Sequence, residues 1–218
     1  MTLERWRLGQ LARGNSAAVK MAEVLIDQFG DIPLPSPEAS VEIKRFSPEQ
    51  REALKKEGYL IYSLTGQSIK TLRESGCKFW SAWHGQFPDF EALVSRQSEV
   101  AINPNRLFLR RSNCKTLRQQ EAMVEEFSQE LGKKVPGVKA IIGQAPDYIE
   151  LAFRHLDATK NYLFGAKYNY GYARTKTSRG SSIVADVGHF DADFGLDVSW
   201  NAVHGYGHVH AVPLVVPV

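Results

Sequence analysis

Residues 183–212 read IVADVGHFDADFGLDVSWNAVHGYGHVHAV, and their alternation sets the fold class. From His189 to Asn201, the residues His189, Asp191, Asp193, Asp197, Ser199 and Asn201 share one parity, while Phe190, Ala192, Phe194, Leu196, Val198 and Trp200 share the other. Successive strand side chains point to opposite faces, so this pattern predicts a half-buried strand, or two joined by a turn near Gly195, with short polar groups outward. The theme continues with His204, Tyr206, His208 and His210 on one face, before the apolar close AVPLVVPV.

Outward from this stretch the chain reads as mixed. A helix is predicted over Ser16–Phe29, followed by the proline-rich IPLPSPEAS, a short strand over Val41–Phe46, and a helix opened by Ser47, Pro48 and Gln50 and ending at Gly58. Tyr59–Leu64 is a strand candidate, SIKTLRES a small helix, KFWSAW an aromatic strand, with further strands near Val100 and at Leu107–Leu109. Thr116 and Gln119 form a capping box for a helix whose stripe is Met123, Val124, Phe127 and Leu131, ending at Gly132. VPGVKAIIG reads as a buried strand, and Pro146 starts a helix with Ile149, Ala152, Phe153 and Leu156 facing the core, with His155 packed beside them. The expectation is an α+β protein with a helical N-terminal half and a β-rich C-terminal part. Residues 1–35 would form a helical segment and 36–218 an α+β ligand-binding domain, with a display region at about 183–212.

The charge distribution singles out the same end. All 27 Lys and Arg lie at or before Arg179, whereas the residues beyond it carry Asp186, Asp191, Asp193 and Asp197 with no basic side chain, and hold four of the six histidines. A composition break of this kind marks a segment with its own role. No apolar run reaches the roughly 18 to 20 residues a membrane helix needs, and the first residues lack a secretory apolar region, so a cytoplasmic protein is expected. Cys77 and Cys114 are too few and too far apart for a disulfide framework or a CxxC metal site. GxxxxGK[ST], HExxH and GxSxG are absent, and no GxGxxG follows a strand, so the common nucleotide-binding, zinc-protease and hydrolase readings lack an anchor, and no catalytic residue or cofactor is assigned.

Three functional readings stay open beside the plain one of a polar sheet face. As a display surface, Asp186, His189, Asp191, Asp193, Asp197, Ser199, Asn201, His204, Tyr206, His208 and His210 supply adaptable hydrogen bonds and amphipathic rings for a protein or other macromolecular ligand. As a nucleic-acid surface, KYNYGYARTK places Tyr168, Tyr170, Tyr172, Arg174 and Lys176 on one strand face, rings for bases and cations for phosphates, and Arg106, Arg110, Arg111, Lys115 and Arg118 extend it. As a metal-dependent enzyme, His208 and His210 would stand roughly 7 Å apart on one strand face, with an Asp from a neighbouring strand completing a site.

The run SSIVADVGHFDADFGLDVSWNAVHGYGHVHAVPLVVPV, in which Val184, Val187, Leu196, Val198 and Trp200 frame interleaved Asp, His, Tyr, Asn and Ser, resembles the variable region of diversity-generating retroelement target proteins. The resemblance covers the end of the chain and rests on composition and interleaving. It implies a C-type-lectin-like C-terminal scaffold whose frame holds while outward side chains vary, with LFGAKYNYGYARTKT as an approach strand of that scaffold and FWSAWHG, with Trp80 and Trp83, a partial echo of lectin-type frames.

Overall fold

The computed structural model describes residues 7–8, 16–29, 43–80 and 88–218, which divide between two compact units, Met1–Glu42 and Ile43–Val218. In the first, α1 spans Ser16–Phe29, and Arg7 donates to Glu23 at 3.0 Å. The proline-rich connection, Val41 and Glu42 of the expected Val41–Phe46 strand, and Trp83 lie outside the described residues; the rest of that strand is reduced to one parallel bridge from Lys44 to Ser98.

In the second unit the elements run α2 (Pro48–Lys56), β1 (Leu60–Thr65), α3 (Ile69–Glu74), α4 (Pro88–Glu91), β2 (Gln97–Ile102), α5 (Leu117–Lys134), β3 (Val138–Ile141) and α6 (Ala145–Thr159). They continue with β4 (Tyr172–Arg179), β5 (Ile183–Asp191), β6 (Gly195–Ala202), β7 (Val209–His210) and β8 (Leu214–Pro217). The class is α+β. Strands are not confined to the C-terminal part, however, since β1 and β2 precede the longest helix.

Both capping boxes form: Ser47 with Gln50 opens α2, and Thr116 with Gln119 opens α5. Each satisfies two otherwise orphaned N–H groups at a helix start. Helix α5 continues through Gly132, where a stop is expected, and closes at Lys134 with the Val135 N–H on the Leu131 carbonyl at 2.8 Å. Leu131 and Val135 are both buried, and that packing outweighs the roughly 1 kcal/mol a helical glycine costs.

One sheet has the order β1-β2-β8-β3 and is antiparallel throughout; the other has the order β6-β5-β4-β7, with only β4 and β7 parallel. The first sheet separates two cores. Ala101, Ala140 and Val215 pack with Leu54 of α2 and Val124 and Leu131 of α5. Their strand neighbours Val100, Ile102, Leu214 and Val216 face α6 and the second sheet, which contributes Ala173, Ala185, Val187, Leu196 and Val198. Helix α6 is buried continuously from Ala145 to Phe153 because both sheets use it. Its buried acids are bonded: Asp147 accepts from Arg96 N at 2.8 Å and Nη2 at 2.7 Å, and Glu150 from Thr65 Oγ1 at 2.9 Å.

Among the described residues no helix is long and apolar enough to cross a membrane.

Candidate functional site

Strands β5 and β6 form the hairpin that the alternation predicts, paired from Ile183 with Ala202 to Asp191 with Gly195. A bulge sits between Gly188 and Phe190. His189 is the extra residue, with φ +44°, and its insertion lets Phe190 as well as Val187 face the core. At the tip, Gly195 has φ +89°, and a Cβ there would lie 2.4 Å from the Lys78 carbonyl oxygen, so only glycine admits the neighbouring segment. That segment pairs in parallel with β6: Leu196 N donates to Lys78 O and Trp80 N to Leu196 O, each at 3.0 Å.

The second sheet's other face carries Asp186, Asp197, Ser199 and Asn201, but Asp186 and Asp197 are buried instead of turned to solvent. Arg174, on β4 opposite Asp186, is the reason. Wholly buried, it donates to Ala202 O at 2.9 Å and His204 O at 2.7 Å, and its Nε lies 3.6 Å from Asp186 Oδ1. Asn201 donates to Asp186 at 2.9 Å, while Tyr172 and Ser199 donate to Asp197 at 2.7 and 2.9 Å. Burial pushes the Asp186 carboxyl up to about 6, against the pull of Arg174 and Asn201, and depresses the Arg174 guanidinium. These four predicted site residues are therefore the polar frame beneath the surface. His210 is also part of the frame: half-buried, it stacks on Phe108 with centroids 4.4 Å apart, and burial and nearby His208 lower its pKa.

The other predicted residues lie in two adjoining places. Loop 203–208 carries His204 and His208, exposed, and Tyr206, half-buried. It is held by its carbonyls: Val203 O accepts from Leu117 N, His204 O from Arg174, Tyr206 O from Cys114 N, Gly207 O from Asn113 Nδ2 and His208 O from Tyr172 N. Among the described residues none of the side chains of His204, Tyr206 and His208 makes a hydrogen bond; His208 packs on Tyr172 and Tyr206, at 5.4 and 6.1 Å between centroids. A Cβ on Gly205 would sit 2.3 Å from the Cys114 backbone, so the loop lies directly on the turn before α5. That turn exposes Arg110, Arg111 and Lys115, and the first turn of α5 adds Arg118.

The second place is the hairpin end, where Asp193 is exposed and His189 and Asp191 are half-buried. His189 Nε2 lies 3.5 Å from Asp191 Oδ2, and its ring meets Tyr170 at 4.7 Å and Trp80 at 5.6 Å. Trp80 stacks on Phe194 at 4.5 Å. Phe194, expected to face inward, is 51% exposed, because it belongs to the turn and not to a strand. Trp80 and Phe194 thus join the site unforeseen, and Tyr170 joins it in place of its expected strand stripe; an aromatic at a hairpin tip, DADFG, is a signal that could have found Phe194. Tyr172 links the two places, pairing with Gly188 beside His189 and packing on His208.

The expected stripe of Tyr168, Tyr170, Tyr172, Arg174 and Lys176 does not form. Asn169 and Tyr170 take left-handed backbone at φ +51° and +50°, so β4 starts only at Tyr172. Tyr168 instead donates to Pro104 O at 2.7 Å, Arg174 is buried, and Lys176 pairs with Glu121 at 3.0 Å. For the metal reading, the described residues bring no three of His, Cys, Asp and Glu together, and His208 and His210 part company, one exposed and one stacked.

Comparison with protein-family models, curated proteins and solved structures finds no match to this chain.

Proposed function

We propose that this chain is a ligand-binding protein whose contact surface is loop 203–208 together with the end of the β5–β6 hairpin. The observation that carries the reading is the separation of roles within the loop: carbonyls anchor it, while the side chains of His204, Tyr206 and His208 make no hydrogen bond among the described residues. Backbone anchoring does not depend on side-chain identity, so such a loop holds its path while its contacts change. Imidazole and phenol rings give rigid, amphipathic contact area at small entropic cost. The exposed cations of the turn before α5 border the loop and favour a partner with acidic groups. This division suits a variable protein of a diversity-generating retroelement, and a C-type-lectin-like scaffold is part of the same proposal.

The test is a pooled library at His189, Asp191, Asp193, His204, Tyr206 and His208. Members should express and fold while their captured ligands differ. If most members unfold, those side chains are structural and the proposal fails. The retroelement part is tested separately, by looking for a reverse transcriptase gene and a near-copy of the segment's coding sequence that differs at adenines.

A further inference from the structure

A second site lies away from the C-terminal surface. A cavity of ≈ 360 Å³ opens between the end of α6, the Ala166–Tyr168 turn and the start of β1. Its size is that of a small-molecule pocket. Leu60, Pro104, Tyr162 and Tyr168 give it apolar and aromatic walls, His155 and Lys167 bring nitrogen groups, and no Asp or Glu among the described residues lines it.

His155 is 4% exposed, and its Nδ1 lies 2.7 Å from the Tyr62 hydroxyl. The Tyr62 hydroxyl and Nδ1 share this bond, and the imidazole tautomer decides which of them donates; a ligand that only accepts selects the form in which Tyr62 donates to Nδ1. Neutral imidazole has one donor and one acceptor nitrogen, so in that form the N–H is on Nε2. Burial and the charge of Lys167 depress the His155 pKa, so the ring stays neutral at physiological pH. Among the described residues Nε2 has no hydrogen-bond partner, and its ring lines the cavity. Lys167 Nζ stands at the rim, 3.4 Å from Asn105 Oδ1 and 5.4 Å from the Tyr168 ring centroid. The end of α6 offers few competing acceptors there: His155 O accepts from Thr159 Oγ1, Leu156 O from Lys160 N and Thr159 O from Asn161 Nδ2.

We propose that this cavity binds a small monocarboxylate with an apolar body, its carboxylate accepting from His155 Nε2–H and pairing with Lys167, its body lying against Tyr162, Tyr168, Leu60 and Pro104. One ammonium and one imidazole N–H answer a single negative charge. A phosphate dianion calls for more charged donors than the walls provide.

The experiment titrates the full chain with benzoate, with hexanoate and with uncharged benzamide, by calorimetry and amide NMR. Saturable binding of benzoate or hexanoate is expected, with shifts at Gly165 and Tyr168. Benzamide should bind about tenfold more weakly or less, and Lys167→Ala, at an exposed position that the fold does not need, should weaken the anions by about tenfold. His155→Leu, checked for folding by circular dichroism, should do the same. No saturable binding of either anion, benzamide binding as well as benzoate, or affinity unchanged in Lys167→Ala would each overturn the proposal.

Discussion

Arg174 and Asp186 face each other at paired positions on β4 and β5, both wholly buried, with Nε and Oδ1 3.6 Å apart and neither of those atoms hydrogen-bonded. The guanidinium gives its hydrogen bonds to the carbonyls of Ala202 and His204, where β6 runs into loop 203–208. Removing one partner of a buried ion pair costs about 3–5 kcal/mol, because the other group is left without compensation. Arg174→Met should lower stability by that amount in urea unfolding, and adding Asp186→Leu should restore part of it. A loss under about 1 kcal/mol for the single variant would mean the pair does not hold the sheet to the loop.

The pH dependence follows from the same pair. With its carboxyl raised to about 6 from 3.8, folded Asp186 holds a proton that the unfolded chain has released, so its contribution is present below the ordinary value and lost as pH rises through about 6. Buried His155 and His210 act in the opposite sense: both are depressed below 6.5, and their contribution is full above that value and lost as pH falls through the lowered one. Asp186→Asn removes only the first effect. The wild-type advantage over this variant should therefore shrink between about pH 4 and pH 7, measured by urea midpoints; parallel curves would contradict the burial assigned to Asp186.

Within loop 203–208, neighbouring positions should behave oppositely. His204→Ser, exposed and without a side-chain hydrogen bond, should change stability by no more than about 0.5 kcal/mol. Gly205→Ala places a methyl 2.3 Å from the Cys114 backbone and should push the loop off the turn before α5, read as faster exchange of the Cys114 amide. Equal exchange in the two variants would show that the loop does not rest on this contact.

At the hairpin end, Gly195→Ala combines a left-handed φ with a contact of 2.4 Å to the Lys78 carbonyl. It should cost at least about 1–3 kcal/mol and release the Trp80 and Leu196 amides, which hold the parallel bridge, to exchange. Leu196→Ala, in contrast, should cost about 2–5 kcal/mol through a core cavity, with the loss spread over the whole domain.

Helices α2 and α5 were legible because Ser47 with Gln50 and Thr116 with Gln119 write their caps into four consecutive residues, and the β5–β6 hairpin because alternation and Gly195 do the same. Alternation separates two faces of a strand but says nothing of what lies over each. Arg174 lies a dozen residues before Asp186, and the carbonyls it bonds come some 30 residues after it, so the burial of Asp186 and Asp197 had no local mark. The tyrosine stripe failed for a related reason: its period is correct for a strand, but tight packing around Gly171, where a Cβ would meet Phe108 at 2.8 Å, accompanies a turn through Asn169 and Tyr170. His155 read as a packed residue, and the cavity beside it comes from Lys167 and Tyr168, which only the fold brings near.

Strand β8 sits in the interior of its sheet, bonded on one side to β2 and on the other to β3, and every one of its residues from Leu214 to Pro217 is buried. The ribosome makes this strand after the hairpin and loop 203–208, so a message interrupted anywhere within residues 183–212 yields a chain in which β2 and β3 lack their shared neighbour. Such products are expected to remain unfolded and be cleared by proteases. Completion of the first sheet therefore requires in-frame translation through residues 183–212: a frameshift or premature stop there removes β8, whereas a substitution at an exposed position leaves it in place.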